Sequence, residues 1–176
     1  MKILGIDLAG KTKNPTGICI LKDNDIILKT VKEDEEILEI VKTLKPDIIA
    51  IDTPIINGKP RIRKADIILK KYRTFPPTLP GMITLTIRGS KLATELSNYC
   101  RVIEVFPTAS AKILGVYHKN YKETAEILDV KVKNKHELDA YICCLTGKMY
   151  LKKKTVSIGD EEGKIIIPEN NLDFNI

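Results

Sequence analysis

The chain has 176 residues, enough for one domain with a real core and too few for two large ones. At 43% hydrophobic and 30% charged residues it falls outside the fibrous and disordered classes, and no stretch approaches the ~20 apolar residues of a membrane span. A formal charge of +6 favours an anionic partner, nucleic acid first, because Lys and Arg release counterions from phosphates.

Lys2–Leu8 is a short apolar run followed by turn residues, which predicts a buried strand. Thr16–Leu21 and Ile26–Val31 predict two more strands around a tight polar turn at Lys22–Asp25, so the chain opens as an antiparallel meander. Glu33–Leu44 carries Ile37, Leu38, Ile40, Val41 and Leu44 at helical spacing, with acids in its first turn and lysines near its end. Pro46–Pro54 is then a buried strand stopped by proline. The helix before it is a crossover, which sets this strand parallel to the first.

Asn57–Met82 reads as a basic, part-helical segment and then a proline-rich loop, either a lid hinged at Gly81 or a connector. Gly89–Cys100 predicts a second long helix and Arg101–Pro107 another proline-ended strand. Short helices are expected at Ala109–Leu114 and Tyr121–Leu128. Lys135–Gly147 follows as an amphipathic helix with Leu138, Tyr141, Ile142 and Leu145 on its apolar face. From Lys152 the pattern predicts a hairpin, TVSIGDEEGKIII, and a polar tail. The domain reading is 1–151 for the main domain and 152–176 for a C-terminal extension.

Cys19, Cys100, Cys143 and Cys144 lack C-x-x-C spacing and the chain has two histidines, which favours buried or bystander thiols over a zinc site. The N-terminus has neither a long apolar run nor a cleavage site, so the expected location is the cytoplasm, with no membrane partner.

Three strands carry an acid inside an apolar run: Asp7, Asp52 and Glu104. An unpaired carboxylate in a sheet core is expensive, so each is ion-paired, hydrogen-bonded, protonated or metal-bound. Ligands of open α/β sheets gather beyond the carboxyl ends of parallel strands, where these three acids are expected to converge. His136 and Asp139 are three apart and project from one turn of the late helix, where Asp139 adds a fourth carboxylate. Hard oxygen ligands of this kind suit Mg²⁺ or Mn²⁺, and such ions support phosphodiester cleavage by activated water.

In this order, Asp7 before a meander, Asp52 after the first helix, Glu104 before Phe106-Pro107, and His136-x-x-Asp139-Ala140 resemble the ribonuclease H-like fold. The match is to its branch of predicted nucleases, with a more distant similarity to RuvC-type Holliday-junction resolvases. The resemblance spans Met1 to Met149. It implies an α/β fold with a mixed central sheet, a three-strand meander followed by parallel strands, flanked by helices. It also implies Asp7, Asp52 and Asp139 as metal ligands, with His136 matching the late-helix motif and Glu104 a further catalytic acid.

Other residues have two readings each. His136 is a metal ligand, a proton shuttle or only a helix-start residue. Arg63 and Asp66, three apart, are a substrate or site-shaping pair, or else a surface ion pair. Lys70 and Arg73 belong to a basic stretch with Tyr72 and Phe75 interleaved, which suits phosphate tracking or a plain solvated face. Lys11 meets an anionic substrate or only water. The leading expectation is a Mg²⁺- or Mn²⁺-dependent nuclease acting on DNA or RNA, and a homodimer is compatible with it. The rivals are a non-catalytic nucleic-acid-binding or scaffold protein and a nucleotide-binding phosphotransferase of the actin and sugar-kinase type. The latter builds its cleft from two copies of such a fold, and this length supplies one.

Overall fold

The computed structural model describes residues 1–169, and the polar tail expected beyond them lies outside the described residues. Strands β1 (Lys2–Asp7), β2 (Thr16–Lys22) and β3 (Asp25–Val31) form the antiparallel meander. Helix α1 (Asp34–Leu44) crosses over to β4 (Ile48–Asp52), which lies parallel to β1 as the crossover argument requires. The chain continues through α2 (Lys64–Ile68), a 3-10 turn at Leu69–Tyr72, α3 (Pro80–Leu96) and β5 (Arg101–Val105). Then come α4 (Pro107–Ile113), α5 (Tyr121–Ile127), α6 (Lys135–Leu151) and the hairpin β6 (Thr155–Asp160) and β7 (Gly163–Pro168).

The seven strands of the described residues make one mixed sheet, in the order β3-β2-β1-β4-β5-β7-β6. The hairpin is therefore a continuation of the sheet, with β7 running parallel to β5. Among the described residues, no helix is long and apolar enough to cross a membrane.

Period-two alternation splits the core between the two faces. Ile3, Ile48, Ala50, Ile103 and Val105 pack towards α6, while Leu4, Ile6, Ile49 and Ile51 pack towards α1 and α3 with Ile37, Val41, Leu92 and Leu96. The expected amphipathic α6 is instead covered nearly all round from Glu137 to Gly147. The sheet takes one side of it, and α4 and α5 take more. Cys143 and Cys144 lie buried inside that packing, out of reach of a substrate, and burial pushes the Cys143 thiol well up.

Two glycines let α6 lie against the sheet. A Cβ on Gly5 would stand 2.1 Å from the Ala140 carbonyl oxygen, and one on Gly17 would stand 2.0 Å from that of His136. Any larger residue would lift the first turns of α6 off β1 and β2. The sequence predicts a loop through Met82, but α3 starts at Pro80, whose fixed φ and missing N–H suit a first helical position. Gly81 thus lies in a helical turn rather than at a hinge.

Candidate functional site

The carboxyl ends of β1 and β4 set Asp7 and Asp52 side by side in register. Both follow the alternation that directs Ile3 and Gly5, and Ile48 and Ala50, towards α6. The start of α6 is fixed by its cap: Asn134 Oδ1 accepts the Glu137 N–H at 3.0 Å, and Glu137 Oε2 accepts the Lys133 N–H at 2.7 Å. Lys135 and His136 therefore occupy the first turn and Asp139 the next, above the ends of the strands.

Asp52 and Asp139 both feel the charge of Asp7. Burial first, and then Asp7 and Asp139, hold Asp52 well above the usual carboxylate range. Burial and then Asp7 push Asp139 up to about 6, against the opposing pull of Lys135. Cationic groups from α6 answer this charge. His136 Nδ1 lies 2.7 Å from Asp7 Oδ2, and that hydrogen bond raises the His136 pKa above its ordinary value against the opposing effect of burial. Lys135 Nζ donates to Asp139 Oδ2. Burial works against the Lys135 charge, but Asp139, Asp7 and Asp52 outweigh it and raise its pKa.

Hard carboxylate oxygens under mutual repulsion are the donor chemistry that Mg²⁺ and Mn²⁺ take, so the residues fit such an ion. Among the described residues, however, no set of three or more His, Cys, Asp or Glu side chains is already spaced to hold a metal. Lys135 and His136 contact two of the carboxylates instead.

Glu104 adds to the charge that Asp52 feels, but its own hydrogen bonds go elsewhere. It pairs in register with Ile51 and so shares the face towards α1 and α3, one residue short of the level of Asp52. There Glu104 Oε2 accepts from Arg63 Nη1 and Oε1 from Arg63 Nη2, both at 2.7 Å, and Oε2 also accepts the Ile55 N–H at 2.8 Å. Burial raises the Glu104 pKa, though Arg63 opposes it. Asp66 takes the rest of the fork, from Arg63 Nε at 3.1 Å and Nη2 at 2.9 Å. Arg63 and Asp66 are thus a buried pair, 0% and 5% exposed, and the surface ion pair considered from their spacing is corrected. The spacing alone could not reveal the third partner, 41 residues on.

Lys11 is exposed in the β1–β2 loop, and Lys70 and Arg73 are exposed on the 3-10 turn and just after it, all outside the carboxylate group. Beyond Arg73, Thr74 and Phe75 line a small crevice with Asp52 and Glu104, so the proline-rich loop does border the site. Sequence reasoning missed two residues. Lys135 was findable from its i,i+4 spacing to Asp139. Arg88 of α3 reaches Ala9 O at 2.7 Å and Asp34 Oδ1 at 2.7 Å, tying the loop after β1 to α1, and no local pattern announces that.

No family model matches the sequence, and no curated protein does. Among solved structures, T. thermophilus RuvC in complex with Holliday junction substrate aligns with a TM-score of 0.57 at 15% identity, over 87% of this chain and 96% of that one. The chain has the ribonuclease H-like fold. At 15% identity the likeness is one of fold, and the mixed sheet expected from the order of the sequence motifs is borne out.

Proposed function

We propose that the protein is a metal-dependent nuclease that hydrolyses phosphodiester bonds of DNA or RNA in the cytoplasm. The observation that carries this reading is the meeting of Asp7, Asp52 and Asp139 at the carboxyl ends of parallel strands, with two of the three carboxyls held above the normal acid range. The fold shared with T. thermophilus RuvC in complex with Holliday junction substrate supports it.

Asp7, Asp52 and Asp139 would hold Mg²⁺ or Mn²⁺. When bound, the ion supplies activation of the attacking water and neutralisation of phosphate charge. His136, oriented by its hydrogen bond to Asp7, keeps Nε2 available to move a proton at the reacting oxygens. Arg63 and Asp66 hold Glu104, which in turn takes the Ile55 N–H and steadies the chain leaving β4 just beyond Asp52. In this role Glu104 is a positioning residue, as are Arg63 and Asp66. Lys11, Lys70 and Arg73 are proposed to meet phosphates further along the strand.

The test is cleavage of single-stranded and junction substrates with Mn²⁺ by wild type and by an Asp7→Asn, Asp139→Asn double variant whose folding is checked by circular dichroism. The expected result is loss of cleavage with the fold retained. A double variant that cuts as fast as wild type would overturn the assignment. One observation favours a binding-only role: Lys135 already supplies a cation to Asp139. That reading expects equal nucleic-acid binding in EDTA and in Mg²⁺, and no cleavage by wild type.

A further inference from the structure

Asp139, alone of the three carboxylates, borders a small cleft of about 70 Å³ between α4, α5, α6 and the Gly115–Asn120 loop. Asp139 and Lys135 form its wall on the α6 side, and Tyr117, His118 and Lys119 lie across from them. The loop that carries these three is held in shape. It leaves α4 through Gly115 at φ +72°, the His118 N–H donates to Thr124 Oγ1 at 2.9 Å, and Asn120 caps α5 by accepting the Lys122 N–H at 3.2 Å. His118 Nδ1 pairs with Glu123 at 2.9 Å, which turns the one nearby acid of α5 towards the histidine. Tyr117 is 42% exposed, and the Lys112 ammonium stands 4.9 Å from its ring centre.

An aromatic ring in solvent, lysines on both banks and a wall that includes Asp139 form a surface for a polyanion whose units carry flat rings. We propose that this cleft is the seat of one nucleotide of the substrate strand next to the scissile phosphate. One face of the base stacks on Tyr117, and Lys119 and Lys135 meet the flanking phosphates. The cleft is too small to enclose a nucleotide, and a base that stacks on Tyr117 must leave its duplex neighbours, so the subsite takes an unpaired strand with its bases splayed and the sugar in water. Stacking reads no base edge, so the subsite tolerates any sequence. The proposal rests on the nuclease reading above and adds the substrate class, a single-stranded segment or a frayed branch, and the residues that hold it.

The experiment measures binding of a short single-stranded oligonucleotide, in DNA and RNA versions, with 2-aminopurine as the fluorescent base. Affinity is read by anisotropy and stacking by quenching. Tyr117→Ala is expected to lose about tenfold in affinity together with the quench, while Tyr117→Phe keeps both. Lys119→Ala is expected to weaken every sequence alike and to lower the salt slope by about one. Tyr117 and Lys119 are exposed, so neither change threatens folding. A wild type that binds and cuts, with a Tyr117→Ala variant matching it in affinity and quench, overturns the subsite and leaves the nuclease reading standing. A wild type that neither binds nor cuts either nucleic acid overturns both.

Discussion

His136 Nδ1 and Asp7 Oδ2 meet at 2.7 Å, joining the first turn of α6 to the end of β1 across 129 residues of sequence. The contact raises the His136 pKa above its ordinary ~6.5, and the pH dependence has a definite sign. The stabilisation is complete below the ordinary value and fades as pH rises through the raised one. His136→Ala is therefore expected to destabilise the protein at pH 6 and much less at pH 9. Because the ring is 45% exposed, the difference should not exceed about 1 kcal/mol by urea denaturation. An equal loss at both pH values would show that the imidazole only packs.

At Asp52 stability is lost in the same direction of pH, but from burial of its charge and not from loss of a partner. Its pKa is raised, so the folded state resists its ionisation and loses stability as pH climbs above ~3.8. Asp52→Asn is expected to melt higher than wild type in EDTA at pH 7, by an amount worth about 1–2 kcal/mol, and to lose that advantage near pH 4. Cleavage should fall at least a hundredfold in the same variant. Thermal melts across pH check the first claim; an Asn variant less stable than wild type at pH 7 would contradict it.

Lys135 and a divalent cation compete for the same carboxylate charge. Lys135→Met is expected to bind Mn²⁺ a few-fold more tightly, measured by calorimetry, because the largely exposed ammonium contributes less than about 1 kcal/mol of competing attraction. Weaker Mn²⁺ binding in this variant would mean that Lys135 assists the ion rather than opposing it.

Arg63 serves two buried acids at once, so removing it leaves Glu104 and Asp66 without their cation. Arg63→Met is expected to cost about 3–5 kcal/mol in chemical denaturation, while the Arg63→Met, Glu104→Gln double variant recovers part of that loss. Additive losses would deny the coupling.

Much of this architecture is legible in the chain. The meander, the crossover helix and the alternation around Asp7 and Asp52 are local patterns, and local patterns survive folding. The same alternation, carried through Ile103 and Val105, already puts Glu104 on the other face; what hid it was the pull of three similar acids at strand ends. The start of α3 was hidden because Pro80 marks a loop and a first helical turn equally well. The place of β7 beside β5 depends on pairing across some 60 residues, and periodicity carries no information about partners at that range.

That pairing also bears on the order of events in folding. Gly163, at the start of β7, passes so close to Arg63 that a Cβ there would stand 2.8 Å from Nη1. Glu104 is in register with Ile165. The burial of the Arg63–Glu104 pair is thus completed by a strand arriving long after both residues have left the ribosome. A nascent chain without β7 holds these charges against a half-formed wall, still wet. Contacts of such wide sequence separation slow folding, so the rate-limiting step is expected to be the docking of this hairpin. The region supporting Asp52 then sets last, and the end of the sheet that carries Asp7 and Asp52 matures after the core beneath it.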